Sequence, residues 1–285
     1  MAAIREIRRR IRSVQNTAKV TRAMEMVAAT KMRRAQERTI AARPYAEKMH
    51  QVLADLAAQR QVGDEPQPLL ARRPVSRIAL VHITPDRGLC GGLNANINHR
   101  AASFILEQGV TVIIVAVGRK GRDFLVRSGQ EVRAEFTQLG DRPSVLDVLP
   151  IARVVCDDYT QGIVDEVYLC YTQFVTTMTQ RPTLWRLLPI EQAAIAPGRG
   201  IEYIYEPSPE AVLAQLLPRF IEMQLYHAIL ESIASEQSAR MVAMRNATDN
   251  AKELIEELTL TYNKVRQEMI TKELLDITGG AEALG

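Results

Sequence analysis

Apolar residues near the start of the chain advance in alternating steps of three and four, at Ile4, Ile7, Ile11, Val14 and Ala18. That spacing lines one stripe of a helix and calls for a second helix to cover it. From Val20 the stripe is carried by Val20, Met24 and Val27, an offset of the kind a stutter in the heptad produces. No glycine interrupts this stretch, and the first proline is Pro44, where the rod is expected to bend or be interrupted. The first 43 residues alone would reach about 65 Å as a helix.

The other end of the chain carries a second rod. Ser208-Pro209-Glu210 combines a capping serine, a proline in the first turn and an early acid, a helix-start signal. Apolar residues follow at Leu213, Leu217 and Phe220, and farther on at Leu254, Leu258, Tyr262, Val265, Met269 and Leu274. Pro218 predicts a kink, and Gly279-Gly280 predicts the stop. Neither rod can bury its stripe alone, so antiparallel pairing of the two is the economical solution.

Between them the period changes. After the Gly63-Asp64-Glu65-Pro66-Gln67-Pro68 linker, strand patterns run from Arg77 to Thr84, Val110 to Val117, Glu131 to Phe136, Val164 to Val175 and Thr183 to Ile190. Helical patterns fill the gaps at Asn94 to Glu107, Lys120 to Arg127 and Ser144 to Gln161. Such alternation predicts an α/β domain with a mainly parallel sheet, its last two strands forming an antiparallel edge joined at Gln180-Arg181-Pro182. The predicted organisation is thus a first coiled-coil helix over 1–58, a linker over 59–75, an α/β domain over 76–195, a connecting segment over 196–207 and a second coiled-coil helix over 208–285.

Composition narrows the functional classes. The 285 residues are 47% hydrophobic, enough for a folded, soluble chain. The longest apolar run, Val110 to Val117 with Thr111 inside it, is too short to cross a bilayer as a helix, so membrane association is expected only through partners. The first residues lack an apolar core of a secretory signal, which points to the cytoplasm of a bacterium-like cell. Cys90, Cys156 and Cys170 form no C-x-x-C pair, and His50, His82, His99 and His227 are scattered, so neither a disulfide framework nor a metal site is expected. The overall charge of +3 conceals an asymmetry: residues 1–43 carry twelve bases against three acids, and residues 208–285 seven bases against twelve acids. Opposite net charges favour pairing of the rods.

Two segments invite chemical readings. Thr84-Pro85-Asp86-Arg87-Gly88-Leu89-Cys90-Gly91-Gly92-Leu93-Asn94 lies between a strand and a helix, where phosphate loops sit. Its glycines do not match G-x-G-x-x-G, and no Gly-Lys-Ser/Thr follows. A tight turn or a contact surface are the other readings. The bases Arg8, Arg9, Arg10, Arg12, Arg33, Arg34 and Arg38 suit a solvated face, an acidic protein partner or nucleic-acid phosphates. No aromatic residue precedes Tyr45, and no nucleophile-base pair or isolated carboxylate pair stands out. Asp157 and Asp158 fall in a helical pattern and are expected to face solvent.

Several blocks together resemble one family. Ser13-Val14-Gln15-Asn16-Thr17 with Thr21-Arg22-Ala23-Met24-Glu25-Met26-Val27-Ala28-Ala29, the Asp86-to-Asn94 loop, Arg240-Met241-Val242-Ala243-Met244 through Asn246-Ala247-Thr248-Asp249-Asn250, Tyr262-Asn263-Lys264-Val265-Arg266-Gln267 and Ile270-Thr271-Lys272-Glu273-Leu274 are similar to the gamma subunit of F-type ATP synthases. The resemblance covers essentially the whole chain. It implies a long antiparallel coiled coil of the N- and C-terminal helices plus a Rossmann-like central domain, and the role of a central stalk without catalytic residues. The implied partners are the alpha and beta subunits of the catalytic head, the epsilon subunit and the c-subunit rotor ring, with no nucleic acid and no cofactor. The implied location is peripheral, on the cytoplasmic face of the bacterial plasma membrane.

By motif, Lys19, Arg22, Met24 and Cys90 resemble the block that meets the acidic lever of beta, and Arg266 and Gln267 a polar pair touching a beta loop. Tyr203, Tyr205 and Glu206 match the foot that meets the rotor ring and epsilon. Ala281 to Gly285 would form an apolar tip. The segment from Ile190 to Ser208 lacks the cysteine-bearing insertion of the chloroplast branch, so thiol regulation is not expected. Two other classes stay open on the residues: a basic coiled-coil nucleic-acid binder and a nucleotide-dependent α/β enzyme.

Overall fold

A computed structural model describes residues 2–58, 67–190, 206 and 208–282. Residues 203 and 205, with residues 59–66 of the expected linker and nearly all of 196–207, lie outside the described residues. The chain falls into two compact units, Met1–Ala28 with Arg240–Gly285, and Ala29–Ala239. Helix α1 (Ala2–Ala58) and helix α5 (Pro209–Glu282) each contribute to both.

The larger unit is built on a five-stranded sheet of order β3-β2-β1-β4-β5. Strands β1 (Arg77–Ile83) and β2 (Thr111–Val117) bury every residue but the first, as strands covered on both faces must. β3 (Val132–Phe136), β2, β1 and β4 (Glu166–Phe174) run parallel, and β5 (Gln180–Leu188) pairs antiparallel with β4. Crossovers are supplied by α2 (Leu93–Glu107), α3 (Arg119–Arg127) and α4 (Val145–Thr160). The expected elements and their parallel order are therefore present.

The two faces are filled differently. On one, Ile78, Leu80 and Ile114 meet Ile97, Ala101 and Phe104 of α2 and Leu125 of α3. On the other, Val81, Val115 and Leu169 meet Ile151 and Val155 of α4, Leu53 of α1, and Leu217, Ile221, Leu225 and Ile229 of α5. The second core is the larger because the inner parts of both long helices contribute to it. Each fully buried Leu or Ile contributes roughly 1.5–3 kcal/mol.

Local chemistry sets the element ends. Ser144 and Asp147 form a reciprocal capping box on α4, with Ser144 N–H and Oγ donating to Asp147 Oδ2 at 2.7 and 2.8 Å. Those bonds hold the Asp147 carboxyl below its usual range. Ser208 caps α5, its Oγ accepting the Ala211 N–H at 3.2 Å. Thr172 stands opposite Pro182, which has no N–H to give the ladder. Ser235 of α5 donates instead to the Thr172 carbonyl at 3.1 Å, and Ser232 Oγ accepts the Thr172 N–H at 3.4 Å.

Four expectations are corrected. Pro44 and Pro218 lie inside helices that continue through them, since a helix held by packing survives the loss of one N–H bond. α5 runs on past Gly279-Gly280 to Glu282; glycine in a helix costs only about 1 kcal/mol. Gln180 to Pro182 belong to β5 rather than to the turn, which closes between Thr176 and Thr179. Asp157 is exposed as expected, but Asp158 is buried and paired with Arg133 at 3.3 Å.

His82 interrupts the apolar sequence of β1 and is fully buried, its Nε2 2.9 Å from Asn98 Oδ1. Burial lowers its pKa to about 4, with the Asn98 contact opposing. Below pH ~6.5 the unfolded chain takes up a proton that the folded chain refuses until about pH 4. Stability is thus complete above pH ~6.5 and is lost as pH falls toward 4, by on the order of 3 kcal/mol from this residue. Denaturant titrations between pH 4 and 7 should show that slope in the native chain and a flatter one in His82→Gln.

Candidate coupling surface

In the smaller unit the heptad seam runs unbroken. Ile4, Ile7, Ile11, Val14 and Ala18 are half-buried, and the same three-four spacing continues through Thr21, Glu25 and Ala28, all buried. Val20 and Val27 are 59% and 53% exposed, so the expected stutter is absent. The seam of α5 is equally regular: Met241, Met244, Thr248 and Ala251 are buried, and Ile255, Leu258, Tyr262, Val265 and Met269 half-buried. Ile255 holds the place expected of Leu254, and Leu254 and Leu274 are exposed.

Two polar pairs fix the register. The Thr21 and Thr248 hydroxyls meet at 2.7 Å across the helices while also donating to, or approaching, carbonyls of their own helices at Ala18 and Met244. One turn away, the buried Glu25 carboxylate accepts Arg245 Nε at 3.0 Å and Arg22 Nη1 at 3.0 Å. Farther out, Arg8 donates to Tyr262 Oη at 2.7 Å and lies over its ring. These contacts bring Ala18 level with Ala251, Val14 with Ile255 and Ile11 with Leu258, an antiparallel arrangement. The Glu25–Arg245 pair takes its acid from the basic helix and its base from the acidic one, so this junction owes nothing to the net charges of the rods.

The predicted contact residues separate into bands. Lys19 and Arg22 are exposed and Met24 half-buried on α1, close to the polar layer. Arg266 and Gln267 are exposed on α5, level with the first turns of α1 and so about 27 Å along the rod from Arg22. Beyond Met269, Ile270, Leu274, Leu275 and Ile277 expose 49%, 59%, 66% and 69% of their surface. Glu206 is exposed; Tyr203 and Tyr205 lie outside the described residues, as do residues 283–285 of the expected tip. Glu25, Thr21 and Thr248 are polar residues on an otherwise apolar stripe, and Arg245 lies exposed beside it, so apolar spacing alone marks none of them. An unbroken count from Ile4 to Ala28 would have found the first two.

Cys90 belongs to the other unit and is buried, accepting from Asn94 Nδ2 at 3.4 Å. The same turn presents Leu89 instead, 64% exposed at φ 61°. Asp86 stitches the loop to two neighbours, accepting Arg119 N–H and Gln138 N–H at 2.9 Å each. Gly118, at φ 93°, lies so close to the Thr84 carbonyl that a Cβ would come within 1.8 Å of its oxygen. Open α/β sheets bind ligands outside the carboxyl ends of their strands. Here that space is lined by Asp86, Gly118, Gln138 and α5's Ile229, Ile233 and Glu236, and retains a cavity of about 50 Å³. Ligand pockets run to roughly 300–1,000 Å³, so a nucleotide does not fit.

A family model described as ATP synthase matches residues 3–284. The chain is 64% identical over 284 residues to the ATP synthase gamma chain of Dehalococcoides mccartyi, covering the whole of both chains. Among solved structures, a chain from the central stalk and c-ring of the Tetrahymena thermophila mitochondrial ATP synthase is 27% identical with a TM-score of 0.60, over 80% of this chain and 99% of that one. A chain of the Euglena gracilis mitochondrial ATP synthase, in its OSCP, F1 and c-ring assembly, is similar in fold at a TM-score of 0.67 and 20% identity, over 99% and 95%.

Arg245→Ala leaves the buried Glu25 with a single partner, and should cost about 1–2 kcal/mol after discounting for the exposure of the arginine. Glu25→Leu orphans only solvated arginines and should cost less. Thermal unfolding followed by helical circular dichroism orders the two; the reverse order would show that Glu25 is not desolvated.

Proposed function

The chain belongs to the ATP synthase gamma-chain family, and from that premise we infer that it is the central-stalk shaft of a rotary ATP synthase, coupling ion flow through the membrane sector to the nucleotide sites of the beta subunits. It is a non-catalytic subunit. The mechanical reading is carried by one observation, the unbroken antiparallel seam that makes two helices into one rod.

The mechanism follows from symmetry. Two helices have no threefold axis, so a rod inside a ring of three equivalent sites presents a different face to each. Sites facing different surfaces take different conformations and affinities, and turning the rod permutes them. Moving a site from one state almost wholly to another takes about 5.5 kcal/mol of differential contact. A few charge-assisted contacts, from Lys19, Arg22, Arg266 and Gln267, supply such differences more sharply than area does. Met24 sits beside them in the surface proposed to meet the acidic lever of beta.

The apolar residues past Met269 need a cover that a lone helix cannot give; a sleeve of alpha and beta subunits fits them. The foot around Glu206, with Tyr203 and Tyr205, is assigned to epsilon and the c-ring. Among the described residues no helix is long and apolar enough to cross a membrane, so attachment to the cytoplasmic face runs through these partners.

Tagged chain pulled from membranes washed in low-salt buffer should bring alpha and beta subunits; capture of nucleic acid in their place would refute the assignment. Met24→Lys should add attraction to the acidic lever and lower the protons pumped per ATP hydrolysed, and an unchanged ratio counts against the Met24 contact. Replacing Leu274, Leu275 and Ile277 with serine should leave the melting temperature of the isolated chain within ~2 °C, since exposed sites change stability little, yet weaken assembly with alpha and beta.

A further inference from the structure

Glu25 holds two arginines from two different helices, and the way it holds them leaves each with a free fork. Its carboxylate is buried, with 8% of the side chain exposed, whereas Arg22 and Arg245 expose 60% and 57% of theirs. Arg245 is engaged through Nε at 3.0 Å, so its end-on pair, Nη1 and Nη2, points away from the bond it makes. Arg22 is engaged through Nη1 at 3.0 Å, which leaves its side-on pair, Nε and Nη2. A guanidinium presents parallel donors in a planar fork that matches a carboxylate in bidentate fashion. Lys252 and Asp249 pair with each other alongside at 2.9 Å, and the Asp249 carboxyl is held below its usual range first by Lys252 and further by Arg22 and Arg245.

Ordinarily an exposed arginine spends rotamer entropy on meeting a partner, which is why surface ion pairs contribute little. A buried carboxylate that has already fixed both side chains removes that cost. It also ties the two helices, so the forks turn as one body with the rod. We propose that Glu25 is a positioning residue that presents Arg22 and Arg245 as a paired cationic clamp for two carboxylates of an acidic segment in a partner subunit, and that Arg245 is a contact residue of the coupling surface. This rests on the reading of the chain as a shaft within a ring of partners. It adds α5 to a surface otherwise assigned to α1 at this level of the rod, and it explains why an acid occupies a seam position where an apolar residue would pack as well.

The test uses full-length chain reassembled with its complex in membrane vesicles, scoring protons pumped per ATP hydrolysed. Arg245→Gln should lower the ratio about threefold, the order expected of one lost partly exposed ion pair. Glu25→Gln should give a similar loss, with helicity of the isolated chain unchanged. Because both act through one clamp, the double variant should be no worse than either single variant. Arg245→Lys, which keeps the charge and loses the fork, should recover only part of the loss, and added potassium chloride should narrow the gap between native and variant complexes. Native pumping by Arg245→Gln complexes overturns the proposal, as do losses that add in the double variant. If Glu25→Gln does not assemble, the same comparison between Arg22→Gln, Arg245→Gln and their double decides it. Failure of the native chain itself to restore pumping would remove the shaft reading rather than the clamp.

Discussion

Everything distinctive about the smaller unit depends on one constraint: two long helices can share a face only while their buried positions keep the three-four rhythm. From Ile4 to Ala28, and from Met241 to Met269, the rhythm holds without a break. Keeping it required seating Thr21, Thr248 and Glu25 in the seam, where each buried polar group must find a partner or cost free energy. The threonines meet each other and Glu25 takes two arginines. A polar layer of this kind stabilises little compared with apolar packing, yet it tolerates only one alignment. The rod is specific there because it is polar there.

The larger unit solves a different problem. A doubly covered sheet leaves a crevice at its carboxyl edge, where many α/β folds hold a nucleotide. In this chain the crevice is taken by the protein's own groups: Asp86 accepts two backbone amides, Thr84 receives the Gly121 N–H at 2.8 Å, and α5 lies over what remains. The same helix supplies the hydroxyls that repair the ladder opposite Pro182. A fold associated with small-molecule chemistry is thereby made into a support for a helix.

These arrangements suit a component that transmits orientation. Rotation changes partner sites only through contacts that differ from face to face, and the surface here is graded: cationic beside the polar layer, polar at Arg266 and Gln267, and apolar beyond Met269. The apolar end makes no directional demand on its cover, so it suits a bearing. Charged forks, whose geometry is strict, suit the places where a partner must respond to angle.

Much of this was legible in the residues. The five strands and three short helices followed from period and punctuation, because alternation of apolar runs with turn residues acts locally. The rods followed from heptads, and the family from combined motifs. The register across the rod was not legible, nor was the pairing of Glu25 with Arg245, the burial of Asp158, the inward turn of Cys90, or helix passing through Pro44, Pro218 and the two late glycines. Each of those depends on which groups from distant parts of the chain arrive alongside. Sequence period states that a side chain needs a partner; only the folded arrangement supplies the partner, and with it decides whether a carboxylate faces water or is buried between two arginines.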